Sequence, residues 1–455
     1  MTTRHPRLLT IDELKAQIAN GSIDTVIVTF TDMQGRLQGK RLHGQYFVDH
    51  VVDHGTEGCN YLLSVDIDMN TVDGYAMSSW EQGYGDMEFA LDFDTIRLLT
   101  HLPATAMIQC DLVWLDHRPV VQSPRTILKA QLAKAAEAGF AALAGTELEF
   151  IVFDTTYEDA WSSGYRDITP ANQYNVDYSI LGTTRVEPLL RDIRNHMYAA
   201  GMNVESAKGE CNFGQHEIGF LYDEALTTAD NHSVYKTAAK EIATQHGKSI
   251  TFMAKYNERE GSSCHIHLSL RGEDGDIVFW DDEKGARTKT YDQFIAGVLA
   301  TMRDFTLMYA PNVNSYKRFA VGSFAPTAIA WGDDNRTCSV RLVGRGPGAR
   351  MENRVPGGDV NPYLALAAMV AGGLHGIDQG LELEEPLTGN AYTSDKEHVP
   401  STLREARDAW HGSALARQLF GDEVVDHYTN MADVELASFD AAVTDWELRR
   451  GFERM

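Results

Sequence analysis

The segment GTELEFIVFD, residues 145–154, carries two glutamates within an otherwise apolar run. Because side chains alternate across a strand, Glu147 and Glu149 share one face, about 6–7 Å apart at a rise of ~3.3 Å per residue. Two carboxylates at that spacing could each hold a different cation. The segment also fits a strand edge that faces solvent, and alone it does not separate these two interpretations.

Two further segments place acids and imidazoles in β patterns. In GECNFGQHEIGF, Glu210 and Glu217 have opposite parity, but a bulge or turn at Gly214 would let both face one site. In GSSCHIHLSL, His265 and His267 share one face of an apolar strand. Histidine pairs more often pack or hydrogen-bond than bind metal, so the pair alone leaves both interpretations open.

Arginines form a third group further along the chain. The segments NSYKRF, DDNRTCSVRLVG and GARMENRVP contain one central acid, Glu352, and five arginines: Arg318, Arg336, Arg341, Arg350 and Arg354. Guanidinium groups match the geometry of phosphate and carboxylate, so this group in a β-rich region suits an anionic substrate. For any single arginine, a surface ion pair is the alternative explanation.

The composition limits the class of protein. The chain has 455 residues, of which 43% are hydrophobic, and can bury a large core in two or three domains of ~100–200 residues each. Its formal charge of -25 disfavours nucleic acid and attracts cations. The five cysteines are scattered without a CxxC pair, and no apolar run reaches the ~18 residues of a membrane span. We therefore expect a cytoplasmic protein with reduced thiols and no membrane contact.

Turn and cap signals predict the elements that must position these residues. Alternating residues around Asp32–Gly35 predict a hairpin, and residues 104–115 predict another strand. Ser123 and Pro124 predict the start of a helix that ends at Gly139. A small N-terminal unit therefore ends shortly before this helix. Alternating β-rich and helical segments follow it, which indicates the α+β class.

Taken together, the segments resemble the glutamine synthetase superfamily. Seven motifs occur in the order and at the separations of that family: GTELEF, GQHE, GSSCHIHLS, NSYKR, NRTCSVR, RMENRVP and NPYLALAAM. The resemblance covers nearly the whole chain. It implies a β-grasp domain over residues 1–115 and, over residues 116–455, a catalytic domain with a curved antiparallel sheet and helices. It also implies a homo-dodecamer of two stacked hexamers, whose active sites are shared between neighbouring subunits.

The resemblance assigns six residues to two divalent ions. One ion would be bound by Glu147, His265 and Glu352, and the other by Glu149, Glu210 and Glu217. All six positions carry a usable ligand. Sites rich in oxygen, with a single imidazole, suit Mg²⁺ or Mn²⁺ rather than structural zinc.

The resemblance also implies ATP and L-glutamate as substrates. An amine cannot displace oxide from a free carboxylate, because oxide is too poor a leaving group. Transfer of phosphate from ATP to the γ-carboxylate gives γ-glutamyl phosphate, which an amine can attack with release of phosphate. The matched positions are, for catalysis, Arg318, Arg336 and Arg341; for glutamate, Gly261, Arg318 and Arg354; for the nucleotide, Glu205, His267, Ser269, Arg341 and Arg350. Glu260 stands at a further glutamate position, where it departs from the family.

Two departures from the family concern the ammonium site. EGCNYLLSVDID replaces the DGSS-like motif whose aspartate binds ammonium across a subunit interface, and GSFAP replaces the flap motif GxEAP. Phe324 therefore stands in place of the glutamate that cages ammonium. Amines with a pKa of ~9–10.5 are almost wholly protonated at pH 7, so both losses should cripple ammonia use. Phe324, with Cys59 or Asn60, leaves room and apolar contact for the carbon chain of a larger amine.

We therefore expect an ATP-dependent ligase that joins glutamate to an organic primary amine. A small monoamine or an amino alcohol such as ethanolamine is favoured over a polyamine, and Glu260, where the family usually has Asn, could pair with the α-ammonium of glutamate. The alternative is an ordinary glutamine synthetase whose ammonium site uses Asp66 or Asp68. A non-catalytic scaffold fits less well, because a retired site has no need to keep several carboxylates without a metal.

Overall fold

A computed structural model describes residues 5–272 and 274–455 of the chain. Its N-terminal unit is a mixed sheet with flanking helices: α1 (Ile11–Ala19), β1 (Thr25–Thr31), β2 (Leu37–His43), α2 (Gly44–Tyr46), β3 (Thr56–Cys59), β4 (Asp86–Leu91), β5 (Arg97–Leu98) and β6 (Thr105–Trp114). Strand β1 pairs antiparallel with β2 and parallel with β6. Strand β6 also pairs antiparallel with β4 and β5, and β3 pairs with β4. The small, strand-rich N-terminal domain is confirmed.

The predicted hairpin is present, and its turn docks onto the second unit. Gly35 has a φ of +79°, a left-handed conformation that glycine adopts without steric cost. The carbonyl oxygens of Asp32 and Met33 each accept a hydrogen bond from Asn361 Nδ2 at 3.1 Å. The turn therefore fixes the N-terminal sheet against the catalytic unit.

The second unit is a larger sheet with helices packed against it. Its elements are α3 (Pro124–Glu137), β7 (Phe140–Phe153), α4 (Tyr157–Ser162), α5 (Ile180–Thr184), α6 (Glu187–Ala199), β8 (Val204–Gly209), β9 (Gln215–Phe220), β10 (Asp223–Glu224), α7 (Ala225–Gln245), β11 (Ser249–Thr251), β12 (Cys264–Gly272), β13 (Trp280–Asp281), β14 (Ala286–Arg287), α8 (Lys289–Met302), α9 (Thr306–Tyr309), α10 (Val313–Tyr316), β15 (Trp331–Asp333), β16 (Val340–Val343), β17 (Arg350–Asn353), α11 (Pro362–Asp378), α12 (Leu403–Gly412), α13 (Ala414–Phe420), α14 (Asp422–Ala441) and α15 (Asp445–Gly451).

The strand order of this sheet is β15-β16-β17-β12-β7-β9-β8, and β10 and β11 also pair with β7. All of these pairs are antiparallel except β15 with β16. The mixed α+β class is therefore confirmed. Across residues 5–272 and 274–455, each helix is too short or too polar to cross a bilayer.

Helix α3 joins the two units. It begins at Pro124, as the sequence predicts. Arg125 in its first turn is buried and ion-pairs with three aspartates at 2.5–2.9 Å: Asp92, Asp111 and Asp230. One hydrophobic core also continues from β1 through α3 to α11. The division at residue 115 stays a prediction, because the two units share this core and this ion-pair network.

Candidate active site

The central strands of the large sheet bring the predicted ligands to one place. Strand β7 lies between β12 and β9. The register sets His265 opposite Glu147 on one side and Glu217 opposite Glu149 on the other. Strand β17 pairs with β12 and adds Glu352. The alternation of side chains along these strands therefore places acids and imidazoles in one cluster.

Glu149, Glu210 and Glu217 form the first acidic group. One carboxylate oxygen of each lies within 4.8 Å of the other two. A tight turn between β8 and β9 lets Glu210 and Glu217 face the same site despite their odd separation. In this turn Gly214 has a φ of +72°, and a Cβ at Gly214 would lie 2.5 Å from the Val152 carbonyl oxygen. The structure therefore gathers the three residues that the resemblance assigns to one ion.

Because this acidic group is buried, keeping all of its carboxylates ionised costs free energy unless a cation is close to them. Burial, together with the charges of Glu147 and Glu149, raises the pKa of Glu217 to about 8, although Lys208 acts in the opposite direction. The Lys208 ammonium donates to Glu210 and lies 3.6 Å from Glu217 Oε2. Lys208 is not among the residues predicted from the sequence, and its position two residues before Glu210 is the signal that points to it.

Glu147, Glu352 and two histidines form the second group. His265 Nδ1 lies 3.4 Å from Glu147 Oε2 and 3.5 Å from Glu352 Oε1. His267 Nε2 lies 3.0 Å from Glu147 Oε1, and its set with Glu147 and Glu352 is also compact enough to hold an ion. The structure therefore offers two imidazoles where the resemblance assigns only His265 to the metal.

The hydrogen bonds distinguish the two histidines. His267 Nδ1 accepts from Arg350 Nε at 3.2 Å, so its Nε2 carries the proton that is donated to Glu147. Both of its nitrogens are thus used. His265 Nε2, by contrast, is buried and has no hydrogen-bond partner among the described residues. His265 faces Glu147 and Glu352 through Nδ1, but the compact set of possible ligands contains His267, so the assignment of His265 to the metal stays a prediction.

The ionisation of the second group suits metal binding. Burial would raise the pKa of Glu147, but hydrogen bonds from His265 and His267 outweigh it and hold the pKa well below its usual range. Burial and the nearby Arg354 charge lower the pKa of His265, so its imidazole is neutral at pH 7. Ionised carboxylates and neutral imidazoles are the forms that bind metal ions. Together with the carboxylates of the first group, they fit a hard divalent cation.

Buried arginines stand next to these acids. Arg318 is buried, and donates at 2.8 Å to the Val355 carbonyl and to Ser263 Oγ. Burial lowers its pKa to about 10, which leaves the guanidinium charged at pH 7. Arg354 is also buried and bonds Glu352 Oε1 at 2.5 Å. In the described part of the chain, the Nε atoms of both arginines are buried and lack an acceptor, which is costly for a charged donor.

The loop before β12 approaches Arg318 closely. At Gly261 a Cβ would lie 2.4 Å from the Ala254 carbonyl oxygen and 2.7 Å from Arg318 Cγ, so only glycine fits there. The Gly261 carbonyl accepts from Gln215 Nε2 at 2.9 Å. The neighbouring Glu260 is half-buried, and its Oε2 is unpaired within residues 5–272 and 274–455. This loop therefore offers an acid beside a fixed backbone.

A cavity of about 290 Å³ opens beside the acids. Its walls include two of the predicted metal ligands, Glu147 and Glu217, and four of the predicted nucleotide residues: Glu205, His267, Ser269 and Arg350. Ser269 Oγ donates to the Ala349 carbonyl at 3.0 Å, which fixes one wall. The cavity connects the predicted nucleotide positions with both acidic groups.

The remaining two arginines lie outside this cavity. Arg341 lines an adjoining open cleft of about 900 Å³, and bonds Asp334 at 2.8 Å and Glu352 at 2.9 Å. Arg336 is exposed and, within the described residues, has no hydrogen bond or ion pair. The structure thus brings Arg341 to the acids but leaves Arg336 apart, and the catalytic assignment of Arg336 stays a prediction.

The predicted amine-binding residues are not brought together within one chain. Phe324 is 55% exposed, and its φ of +56° is a strained conformation for an aromatic residue. Cys59 and Asn60 contact Tyr84 and Met77 in the N-terminal unit instead. Any meeting of these residues with Phe324 would need a neighbouring subunit, as the family resemblance implies.

Comparison with known proteins identifies the family. The family described as glutamine synthetase, catalytic domain, matches residues 121–451. The chain is 64% identical over 447 residues to a gamma-glutamylethanolamide synthetase of Streptomyces coelicolor, which covers 98% of this chain and 96% of that protein. It is 36% identical over 439 residues to a glutamate–isopropylamine ligase of a Pseudomonas species, with 95% and 96% covered.

Solved structures agree with the sequence comparison. The ligand-free structure of GmaS aligns with a TM-score of 0.84 at 27% identity, over 97% of this chain and all of that one. A complex of GmaS with ADP aligns with a TM-score of 0.83. The chain therefore belongs to the glutamine synthetase family, in the branch of ATP-dependent ligases that join glutamate to organic amines.

Proposed function

We propose that this protein joins the γ-carboxylate of L-glutamate to ethanolamine, or to a closely similar small amine, and converts ATP to ADP and phosphate. The observation that carries the proposal is 64% identity, over 98% of the chain, to a gamma-glutamylethanolamide synthetase. The apolar Phe324 at the flap supports it, because a glutamate there would favour ammonium. The amide product keeps the hydroxyl of the amino alcohol.

Glutamate would bind between the buried arginines and the glycine loop. Arg318 and Arg354 each have an unpaired Nε donor, so either could bind a substrate carboxylate. Gly261 lets the loop pack directly against Arg318 and the Ala254 carbonyl, where nothing larger fits, and so would fix the loop beside the substrate. Glu260 would pair with the α-ammonium group. These contacts would hold the γ-carboxylate at the acids and orient it toward the nucleotide.

ATP would occupy the cavity of about 290 Å³. Glu205 at its rim would contact the ribose, while His267, Ser269 and Arg350 line the nucleotide side. Arg341 would neutralise a phosphate oxygen from the adjoining cleft, and Arg336 would have to move toward the phosphates to share that role. Each transfer of the γ-phosphoryl group forms one phosphorus–oxygen bond to glutamate and breaks one to ADP.

Two divalent ions, Mg²⁺ or Mn²⁺, complete the proposal. Glu147, His265 and Glu352 would hold one ion, and the acidic group Glu149, Glu210 and Glu217 would hold the other. When bound, the ions neutralise charge that builds on the transferred phosphoryl group. Without them the chain keeps buried carboxylates at a cost, which the raised pKa of Glu217 reflects.

The ordinary glutamine synthetase alternative has less support. It requires an acid free to bind ammonium in the N-terminal unit. Of the two candidates, the Asp66 carboxylate accepts from the Asn70 amide at 2.8 Å and from Asn70 Nδ2 at 2.9 Å, so it is used within its own turn, and the exposed Asp68 remains. We further propose a cytoplasmic homo-dodecamer of two stacked hexamers, which the family resemblance and the five free cysteines support.

A competition experiment tests the proposed function. Purified protein, ATP, Mg²⁺ and glutamate would be incubated with equal concentrations of ammonium, ethanolamine, isopropylamine and putrescine, and the products identified by mass. We expect γ-glutamylethanolamide as the main product, and no amide from a Glu352→Gln control. Glutamine as the main product would overturn the proposal.

A further inference from the structure

The loop that connects β16 to β17, residues 344–349, forms one wall of the cavity proposed for ATP. Its last three residues line that cavity, and three of its six residues are glycines. Gly344 and Gly346 have φ values of +78° and +56°, and at Gly344 a Cβ would lie 2.0 Å from the Gly348 carbonyl oxygen. Glycine-rich segments lose much conformational entropy when they are ordered, so this wall needs contacts from outside to keep one shape.

Three successive carbonyl oxygens of the loop receive such contacts. The Pro347 carbonyl accepts a hydrogen bond from Arg271 Nη2 at 2.6 Å, and the Ala349 carbonyl accepts one from Ser269 Oγ at 3.0 Å. The carbonyl of the glycine between them accepts from Arg350 Nη1 at 3.1 Å. Side chains outside the loop therefore hold the whole stretch that faces the cavity.

Arg271 makes the most extensive of these contacts. Besides the loop carbonyl, its guanidinium donates from Nη1 to Ser269 Oγ at 3.2 Å and to the Leu270 carbonyl at 3.1 Å. A planar guanidinium with several donors in fixed geometry suits such a bridge between strand β12 and the loop. Arg271 thus bonds one end of the stretch directly and orients the hydroxyl that bonds the other end.

Arg271 lies at the end of the cavity that is remote from the acids. His265 and Arg271 share one face of β12, six residues and about 20 Å apart at ~3.3 Å per residue. His265 stands beside Glu147 and Glu352, whereas Arg271 lines the cavity next to the loop. Transfer of the γ-phosphoryl group requires the phosphates to lie at the acids. The base of the nucleotide then extends toward Arg271 and the loop.

We propose that Arg271 is a positioning residue, which holds residues 344–349 in shape as the wall that packs against the base of the nucleotide. This inference rests on the proposed binding of ATP in this cavity. A preformed wall spares the nucleotide the entropy cost of ordering a glycine-rich loop, so Arg271 raises nucleotide affinity without touching the phosphates. The glutamate end of the site, at Arg318 and Gly261, does not depend on it.

Calorimetric titration with ADP in the presence of Mg²⁺ tests this role without any turnover. Arg271→Met should weaken ADP binding at least tenfold, and Arg271→Lys, which can still donate to the Pro347 carbonyl, should lose less. Inorganic triphosphate, which lacks the base, should bind Arg271→Met and the wild type equally. Arg303→Met is the matched control, because Arg303 bonds the His398 carbonyl away from this cavity, and it should leave ADP affinity unchanged.

A loop variant and a kinetic readout complete the test. Gly344→Ala keeps Arg271 but distorts the loop, because its Cβ meets the Gly348 carbonyl, and should also weaken ADP binding at least tenfold. In steady-state assays, Arg271→Met should raise the KM for ATP at least tenfold and leave the KM for glutamate unchanged.

The outcomes separate this role from the function on which it rests. Unchanged ADP affinity in Arg271→Met, or an equal loss of triphosphate affinity, would overturn the role of Arg271. If Arg271→Met fails to fold, wild-type ADP affinity in both Arg271→Lys and Gly344→Ala would overturn it. Absence of ADP binding to the wild type would instead overturn the assignment of this cavity to the nucleotide.

Discussion

The buried carboxyl of Glu217 leads to a prediction about stability in the absence of metal. Its pKa is raised from 4.5 to about 8, chiefly by burial, so at pH 7 the folded protein holds a proton that the unfolded chain has released. A raised carboxyl pKa destabilises the fold above pH 4.5, and at ~1.4 kcal/mol per pH unit the cost at pH 7 is about 3 kcal/mol. Glu217→Gln removes that cost, so the metal-free variant should be more stable than the wild type.

Thermal unfolding in EDTA measures this difference. At ~2.1 cal/mol/K per residue, a gain of that size raises the melting temperature of a chain this long by about 3 °C. The gain should vanish near pH 4.5, grow up to about pH 8 and stay constant above it. Glu205→Gln, at an exposed position, is the control and should change nothing. Saturating Mn²⁺ should reverse the order, because only the wild type keeps every ligand.

Two results would refute this reasoning. Equal melting temperatures of wild type and Glu217→Gln at pH 8 in EDTA would show that burial does not perturb this carboxyl. A gain that is the same at pH 5 and pH 8 would show that the variant acts through packing and not through protonation.

Three further predictions concern the flap, the glutamate loop and the contact between the units. In steady-state assays, Phe324→Glu should lower the ratio of kcat/KM for ethanolamine to that for ammonium at least tenfold. An unchanged ratio would show that Phe324 does not select the amine. Gly261→Ala should raise the KM for glutamate at least tenfold, since its Cβ meets the Ala254 carbonyl at 2.4 Å; a wild-type KM would contradict the proposed loop contact. Arg125→Met should lower the free energy of unfolding by about 3–5 kcal/mol in urea titrations, because it leaves buried aspartates without their cation. A loss below ~1 kcal/mol would mean that water reaches those aspartates.

The sequence predicts the acidic groups well because strands alternate with a period of two. That rule places Glu147 and Glu149 on one face, and the glycine turn at Gly214 corrects the parity of Glu210 and Glu217. On a regular strand the backbone register fixes which face a side chain occupies, so the shared face of Glu147, Glu149 and Glu217 follows from it.

Long, flexible side chains are harder to predict, on strands as well as on loops. Lys208, Arg336 and Arg341 each have several rotatable bonds, and their direction depends on which of several nearby acids each one contacts, or on none. Asp334, seven residues before Arg341, holds that arginine in the open cleft. The amine pocket is a different case, because the family resemblance builds it from two subunits and one chain does not bring its parts together.

The central claim is that this site accepts a carbon-bearing amine in preference to ammonia. Its most direct test is the ratio of kcat/KM for ethanolamine to that for ammonium, measured by phosphate release at saturating ATP and glutamate. We expect ethanolamine to exceed ammonium at least a hundredfold. A ratio at or below one would contradict the account.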